Sequence, residues 1–456
     1  MDSGDTAWML MSSALVMLMT PGLALFYGGL ARSKNVLGTI MQSFIMLGVI
    51  SIQFVIIGYT LAFGPDQWGL IGNLDWAFLK DVSSSEPGPY AATIPHSTFM
   101  IFQLMFAVIT PALITGAFAE RAKFSTFIVF MLLWATLVYD PVAHWVWSIS
   151  GWLGSFADAE TGEVGIKALD FAGGTVVHIN AGVAALAAAI VYGKRHGYGR
   201  DPMEPHDITM VVVGAALLWF GWFGFNAGSA LGSLGVGNAD DGFILTASNA
   251  FVVTHIATAA AAVTWTALSW FFLGKPSVVG AAAGAVAGLV AITPASGFVS
   301  PMASIAIGVG AGVFCYFAVR LRAKIGLDDS LDVVGVHGVG GAWGALATGL
   351  FAAAAYGGVD GLFEGNSDQF VNQLIAVGVV ILYSFVVTFA ILKVLDLVMG
   401  LRVSEDEEAA GIDASQHGER AYISDGGGAP YAGIPIEPEA TPSYPASSPA
   451  PSQAQG

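Results

Sequence analysis

The chain has 456 residues, of which 55% are hydrophobic and only 11% are charged, and its mean hydropathy is +0.70. Soluble domains carry about 25% charged residues, so the composition favours a membrane protein. The 16 Lys and Arg residues against 33 Asp and Glu residues give a net charge of −17, which argues against a nucleic-acid partner. A single cysteine, Cys315, excludes an intrachain disulfide.

Eleven apolar segments are about long enough to cross a membrane, since a spanning helix needs ~20 mostly apolar residues. They are 6–31, 37–63, 96–118, 124–149, 172–192, 207–231, 242–272, 277–296, 300–320, 335–355 and 371–400. No Lys or Arg precedes Arg32, so the first segment lacks the basic start of a secretory signal and is expected to be retained. We therefore predict an all-α membrane protein with eleven transmembrane helices.

The positive charges predict the orientation of these helices. If the N-terminus lies outside, the inner loops, the end of the last helix and the C-terminal region hold fourteen of the sixteen Lys and Arg residues, and the outer loops hold only Lys80 and Lys167. Cytoplasmic loops are enriched in Lys and Arg. The N-terminus is thus predicted to lie outside and the C-terminus in the cytoplasm.

Three short patterns in the first five segments recur in the same order in the next five. They are Phe26–Ala31 and Phe225–Ala230, Ile109–Ala112 and Ile292–Ala295, and the pairs Asp170 with His178 and Asp329 with His337. A unit of five helices is odd, so the second copy must enter the membrane from the opposite side. This predicts an inverted five-helix repeat, as in many transporters, plus one extra helix.

The two repeated histidines, His178 and His337, lie inside apolar segments, where ionisable groups are costly and usually functional. Each lies eight residues from its aspartate, which is ~12 Å along a helix. Because the two segments run in opposite directions through a core of ~30 Å, both imidazoles are predicted near its midplane. The alternative is a structural pair that only ties two helices together.

Several motifs together resemble those of the ammonium transporter family (Amt/Mep/Rh), on the prokaryotic Amt side. They are 170–178 (DFAGGTVVH) continuing to Arg195, 221–229 (GWFGFNAGS), 336–341 (VHGVGG) and the stretch from Gly411 to Glu419. The resemblance covers roughly residues 6–425. It implies a homotrimer in the cytoplasmic membrane with one pore in each subunit. It also implies a cytoplasmic partner, a PII-type signalling protein that plugs the pore.

The resemblance assigns the recruitment of ammonium, in an outer vestibule, to Trp147, Phe106 and Ser229. Aromatic faces attract such a cation by ~0.5–2 kcal/mol, and a hydroxyl adds an acceptor. From the residues alone, Trp147 could instead belong to an interfacial belt, Phe106 to ordinary packing, and Ser229 could bond its own helix backbone. Trp222 and Phe102 are further lining candidates.

The resemblance also matches Phe106 and Phe225 to a gate of two stacked rings, and His178 and His337 to the lining of an apolar pore. A bare ammonium ion would pay a large desolvation cost there, so ammonium is expected to lose its proton at the entrance and pass as ammonia, with or without the proton following. Asp170 is predicted to cap a helix and to act structurally and electrostatically. Asp140, which is near the outer end of the fourth segment, has no predicted role.

The chain is predicted to divide into a transmembrane transporter domain (1–402), a cytoplasmic regulatory segment (403–425) and a disordered Pro/Ala/Ser-rich tail (426–456). We find no metal-ligand cluster or nucleophile motif in the sequence and expect neither a cofactor nor enzymatic activity. An alternative function is an ammonium sensor that signals through the C-terminal segment and a PII-type partner with little flux. A cation-coupled transporter is a third possibility, which would need carboxylates facing the lumen.

Overall fold

The computed structural model describes residues 1–154, 165–232 and 246–422. Within these ranges, nine helices are long and apolar enough to cross a membrane. They are α1 (Ser3–Leu30), α2 (Ser33–Phe63), α3 (His96–Ala117), α4 (Phe124–Trp147), α5 (Gly174–Tyr192), α6 (Ile208–Gly228), α7 (Thr246–Leu273), α9 (Pro301–Ile325) and α11 (Ser367–Met399). Two shorter apolar helices complete the bundle: α8 (Val278–Ile292), and α10 (Gly340–Phe351) with the π-helical turn Val334–Val339 before it.

Each of the eleven predicted segments overlaps one of these helices, which confirms the all-α, multi-pass membrane class. Some predicted segments extend past the end of the helix: α8 ends at Ile292 and α10 ends at Phe351, whereas the predicted segments continue to 296 and 355. The 15 residues of α8 rise only ~22 Å, less than a ~30 Å hydrocarbon core. The count of eleven crossings therefore stays a prediction, as does the disorder of 426–456, which lies outside the described residues.

The connections between the helices hold the little remaining regular structure in the described residues. Two short antiparallel hairpins lie between α2 and α3, formed by β1 (Asp66–Gln67) with β2 (Ile71–Gly72) and β3 (Pro87–Gly88) with β4 (Ala91–Pro95). Prolines inside α1 and α3, Pro21 and Pro111, leave both helices continuous. Membrane helices tolerate proline where neighbours satisfy the freed backbone groups.

Glycines bring α5 and α10 into backbone contact. A Cβ on Gly182 would overlap the backbone nitrogen of Gly338, and a Cβ on Gly341 would lie 3.0 Å from the backbone nitrogen of Ile179. Small residues at helix crossings allow such close approach in membranes. Because Gly338 directly follows His337, this crossing sets the distance between the two histidines.

The segment after α11 docks on the N-terminal end of α2. It contains α12 (Glu405–Ala410), which begins with a capping box, and a π-helical turn at Asp413–His417. The Asp413 carboxylate accepts hydrogen bonds from the backbone N–H groups of Leu37 at 3.0 Å and Gly38 at 2.8 Å. A carboxylate at a helix N-terminus stabilises the unpaired N–H groups there, so the segment packs on the bundle as an ordered element.

Candidate functional site

The three residues predicted to recruit ammonium line one cavity of about 430 Å³, which we call the vestibule cavity. Phe106 and Trp147 meet edge to face there, with ring centroids 5.7 Å apart. Ser229 lines the same cavity from the end of α6. The structure therefore brings Trp147, Phe106 and Ser229 together, although they are far apart in sequence.

The Trp147 indole is held by the loop before α5. Its Nε1–H donates to the backbone carbonyl of Asp170 at 2.9 Å. The Asp170 carboxylate accepts from the backbone N–H groups of Gly173 at 2.7 Å, Gly174 at 2.6 Å and Thr175 at 2.8 Å. Burial raises the pKa of the Asp170 carboxyl, and the hydrogen bonds from Thr175, Gly173 and Gly174 oppose that rise. Asp170 thus caps the start of α5 beside the vestibule cavity, the geometry its predicted structural role requires.

The Ser229 hydroxyl donates to the backbone carbonyl of Phe225 at 2.9 Å. The bond to its own helix backbone, which the sequence left open as an alternative, is therefore present. It uses the hydroxyl hydrogen and orients the oxygen, whose lone pairs can still accept a hydrogen bond. Ser229 is thus equipped to accept from a cation rather than to donate to an anion.

Two phenyl rings in close, tilted contact separate the vestibule cavity from a second cavity. The ring centroids of Phe106 and Phe225 lie 4.1 Å apart, with an angle of 33° between the ring planes. Phe106 lines the vestibule cavity, whereas Phe225 lines the second cavity. Both rings are fully buried, so they close the path between the two cavities in this conformation.

The second cavity, which we call the lumen cavity, is narrow and almost entirely apolar. Its volume is about 10 Å³, which is close to the space that one water molecule needs. Both His178 and His337 line it. The other lining residues are Met19, Leu23, Phe26, Ile109, Leu113, Val177, Leu218, Trp222, Phe225 and Val286. Apart from the two imidazoles and the Trp222 indole, these side chains offer no strong hydrogen-bonding group.

The two imidazoles face each other across the lumen cavity. Their Nδ1 atoms lie 3.3 Å apart, and both rings are buried. A neutral imidazole has one N–H donor and one acceptor nitrogen, so one Nδ1 carries the shared hydrogen and the other accepts it. The Nε2 atom of His178 is buried and has no hydrogen-bond partner among the described residues. It is therefore available to a small polar molecule in the lumen cavity.

Both histidines lie in π-helical turns that follow a capping aspartate. His178 lies in the turn Gly174–Ile179 and His337 in the turn Val334–Val339. The Asp329 carboxylate accepts from the backbone N–H of Val334 at 2.7 Å, in parallel with the role of Asp170. Such π turns often occur at functional sites. The two repeated sequence patterns therefore form the same local structure, a capping aspartate followed by a π-helical turn.

Sequence reasoning missed Gln103, which also lines the vestibule cavity. It lies one helical turn before Phe106, and its Oε1 atom is buried without a hydrogen-bond partner among the described residues. The helical spacing from Phe106 was the only available signal.

Of the two further lining candidates predicted from the sequence, Trp222 lines the lumen cavity and donates to Thr293 Oγ1 at 2.8 Å, whereas Phe102 packs edge-on against Phe106.

Asp140 lies away from both cavities. Its Oδ2 atom accepts from Gln53 Nε2 at 2.9 Å, and it is fully buried between α2 and α4. The same Gln53 amide donates to Thr136 Oγ1 at 3.1 Å. The contact links two helices next to their π-helical turns, Phe54–Gly58 and Ala135–Tyr139.

These features define a class of protein: a multi-pass helical membrane protein with an aromatic cavity, a closed ring pair and an imidazole-lined lumen. A sequence model described as Ammonium Transporter Family matches residues 7–422. The chain belongs to the ammonium transporter family.

Named relatives and solved structures agree with this assignment. An ammonium transporter of Bacillus subtilis (strain 168) is 50% identical over 425 residues, covering 92% of this chain and 99% of the relative. Ammonium transporter Amt1 of Archaeoglobus fulgidus is 46% identical over 422 residues, covering 92% of this chain and 100% of the relative. The crystal structure of Candida albicans Mep2 superposes with a TM-score of 0.79 at 37% identity, covering 89% of this chain and 88% of that one. A structure named Sensor Amt Protein also gives a TM-score of 0.79, at 28% identity, covering 91% of this chain and 98% of that one.

Proposed function

We propose that this protein recruits ammonium at Trp147, Phe106 and Ser229, that the ion gives up its proton to water in the vestibule cavity beside the ring pair, and that ammonia passes His178 and His337. The observation that carries the proposal is the order of the parts: an aromatic cavity, a pair of phenyl rings in close contact, then a narrow apolar cavity with two facing imidazoles. Each part serves a different step of the passage.

Selectivity follows from the difference between these two environments. An ammonium ion gains cation–π attraction in the vestibule cavity, worth ~0.5–2 kcal/mol, and donates to the Ser229 hydroxyl oxygen. In the lumen cavity an unpaired charge would be strongly disfavoured, whereas neutral ammonia can exchange hydrogen bonds with His178 and His337. Potassium has no proton to leave behind, so it is excluded.

Removing the indole at the recruitment site tests the first step. Trp147→Leu is expected to raise the half-saturation concentration for ammonium about 3- to 30-fold because the cation–π attraction is lost. The maximal rate should fall less, since the lumen is untouched. Uptake of labelled methylammonium at a series of concentrations in a transporter-null cell measures both quantities. An unchanged half-saturation concentration would remove Trp147 from recruitment.

We further propose that the chain forms a homotrimer in the cytoplasmic membrane, with its N-terminus outside and its C-terminus in the cytoplasm. The surface of α7 supports an assembly: His255 is exposed within this spanning helix, nine residues after Thr246, and its ring centroid lies 5.3 Å from that of Trp219. An ionisable ring is costly against lipid, and a neighbouring subunit would cover it.

The segment 403–425 is proposed to bind a PII-type signalling protein and to couple it to the pore. Its described part contacts the bundle in two places. The Asp413 carboxylate accepts from backbone N–H groups at the start of α2. The Nζ atom of Lys34 donates to the carbonyls of Glu408 at 2.9 Å and Ala409 at 2.7 Å. Native mass spectrometry of the protein with a purified PII-type protein is expected to give three chains with partner bound. Deleting 403–422 should abolish partner binding. A monomer would contradict the proposed homotrimer. Partner binding and uptake that both survive the deletion would contradict the proposed role of the segment.

The second candidate function is an ammonium sensor, favoured by the similarity to the Sensor Amt Protein structure. A sensor would bind ammonium in the same vestibule cavity and signal through the docked C-terminal segment. It would show saturable binding with little flux. The flux of the purified protein therefore separates the two functions: saturable binding with little flux favours the sensor, and ammonium flux well above that of empty liposomes favours transport.

A further inference from the structure

One buried amide of α11 holds the loop that precedes α5. Gln373 is only 1% exposed. Its Oε1 atom accepts from the backbone N–H of Leu169 at 2.6 Å, and its Nε2 atom donates to the backbone carbonyls of Leu169 at 2.8 Å and Ala345 at 2.9 Å. Removing such an amide leaves buried backbone groups unpaired, which is costly in an apolar interior. Gln373 is thus a firm tether between α11, α10 and this loop.

The tether is directly connected to the recruitment site. Leu169 precedes Asp170, and the Asp170 carbonyl accepts the indole N–H of Trp147 at 2.9 Å. Residues 167–170 form no helix or strand. The backbone N–H groups of Lys167 and Ala168 donate to the carbonyls of Gly154 and Leu153 at 3.2 Å each, whereas the N–H and the carbonyl of Leu169 are both bonded by the Gln373 side chain. Gln369, one turn earlier on α11, reinforces the arrangement by donating to the Lys167 carbonyl at 2.9 Å.

We infer that Gln373 is a positioning residue for cation recruitment: it fixes the Leu169–Asp170 backbone, and that backbone fixes the face that Trp147 presents to the vestibule cavity. This inference rests on the proposed function. It also gives α11, the helix outside the predicted repeat, a task in recognition. Because cation–π attraction depends on the position of the cation over the ring face, loss of the tether should weaken binding more than it slows passage.

The test is a double-mutant cycle in proteoliposomes of the full chain. Gln373→Met keeps an unbranched side chain of similar length and removes all four hydrogen bonds of the amide, including the one that its Oε1 atom accepts from Gln369 Nε2 at 3.2 Å. It is expected to raise the half-saturation concentration for ammonium about 3- to 10-fold, with at least half of the maximal rate retained. In a Trp147→Leu background the same change should raise it less than 2-fold, since residues that act through one another are not additive.

Two further variants separate positioning from a general structural effect. Ser384→Ala removes another buried hydrogen bond of α11, from Ser384 Oγ to the Asn180 carbonyl at 2.9 Å, but leaves the Leu169–Asp170 loop tethered. It should leave the half-saturation concentration unchanged. Gln373→Glu keeps the acceptor for the Leu169 N–H and, as a buried acid that stays protonated, can donate only one of the two original bonds, so it should shift the half-saturation concentration in the same direction as Gln373→Met. Gln373→Glu also tests the inference if Gln373→Met does not fold.

Different experimental results would overturn the inference about Gln373 and the proposed function. Fold-changes that multiply in the double variant, or a lower maximal rate with an unchanged half-saturation concentration, would show that Gln373 acts only on stability or on the lumen. An equal shift from Ser384→Ala would also overturn the inference. Absence of ammonium flux in the wild-type protein would instead overturn the proposed function.

Discussion

Replacing His178 by Ala is expected to reduce methylammonium uptake by about 10- to 100-fold, because the passing molecule loses a hydrogen-bonding partner in an apolar cavity, which costs ~1–3 kcal/mol. The substitution removes one of the two imidazoles that line the lumen cavity. It also leaves the Nδ1 atom of His337, now 3.3 Å from its partner, without a hydrogen bond in an apolar surrounding. Ammonia would then enter a cavity that keeps only one of its two imidazoles.

His206→Ala is the matched control for this prediction. His206 lies in the loop before α6, where its ring bonds the Ala31 carbonyl and the Tyr422 hydroxyl, outside both cavities. Its removal should leave most of the uptake intact. Undiminished flux in His178→Ala would refute a role of the imidazole pair in conduction and would leave the pair as a structural contact between α5 and α10.

Gly182→Ala is expected to lower transport by more than about 10-fold and to destabilise the protein by about 1–3 kcal/mol, the usual cost of overpacking a filled interior. A single methyl group at this position would overlap the backbone of Gly338. The helices α5 and α10 would have to separate, and His178 and His337 would separate with them. Uptake assays and thermal unfolding in detergent measure the two effects.

Gly378→Ala provides the control, because a Cβ at this position on α11 meets open space within 4 Å. Both substitutions replace a helical glycine and share the gain in helix propensity of about 0.5–1 kcal/mol. A difference between them therefore isolates the crossing of α5 and α10. Equal behaviour of the two variants would contradict the view that this crossing sets the distance between the imidazoles.

Hydropathy and repetition in the sequence predicted the parts of this fold that depend on local pattern. Every apolar segment overlaps a helix. The repeated Asp-to-His spacing predicted equivalent positions for His178 and His337, and the structure shows each of them in a π-helical turn. Helix ends were less predictable, since composition does not change at the residue where α10 stops, Phe351. The gate pair required the family resemblance, because Phe225 is one of 29 phenylalanines.

The parts that the sequence could not predict are contacts between distant residues. Gln373 bonds Leu169 across 204 positions, and Asp413 bonds Gly38 across 375. A lone glutamine in an apolar helix and an aspartate in a polar tail carry no pattern that reveals their partners. Only the three-dimensional arrangement shows that one tethers the loop beside Trp147 and the other caps α2.

The most direct test of the central claim is a flux measurement on the purified wild-type protein in proteoliposomes, with ammonium against potassium. Current is recorded on a supported membrane while a dye reports the internal pH, so that ammonia alone and ammonia followed by a proton are both detected. We expect an ammonium signal well above that of empty liposomes and no potassium current above theirs. A potassium current equal to that of ammonium, or no ammonium signal by either method, would contradict a passage that strips the proton before a dry, imidazole-lined lumen.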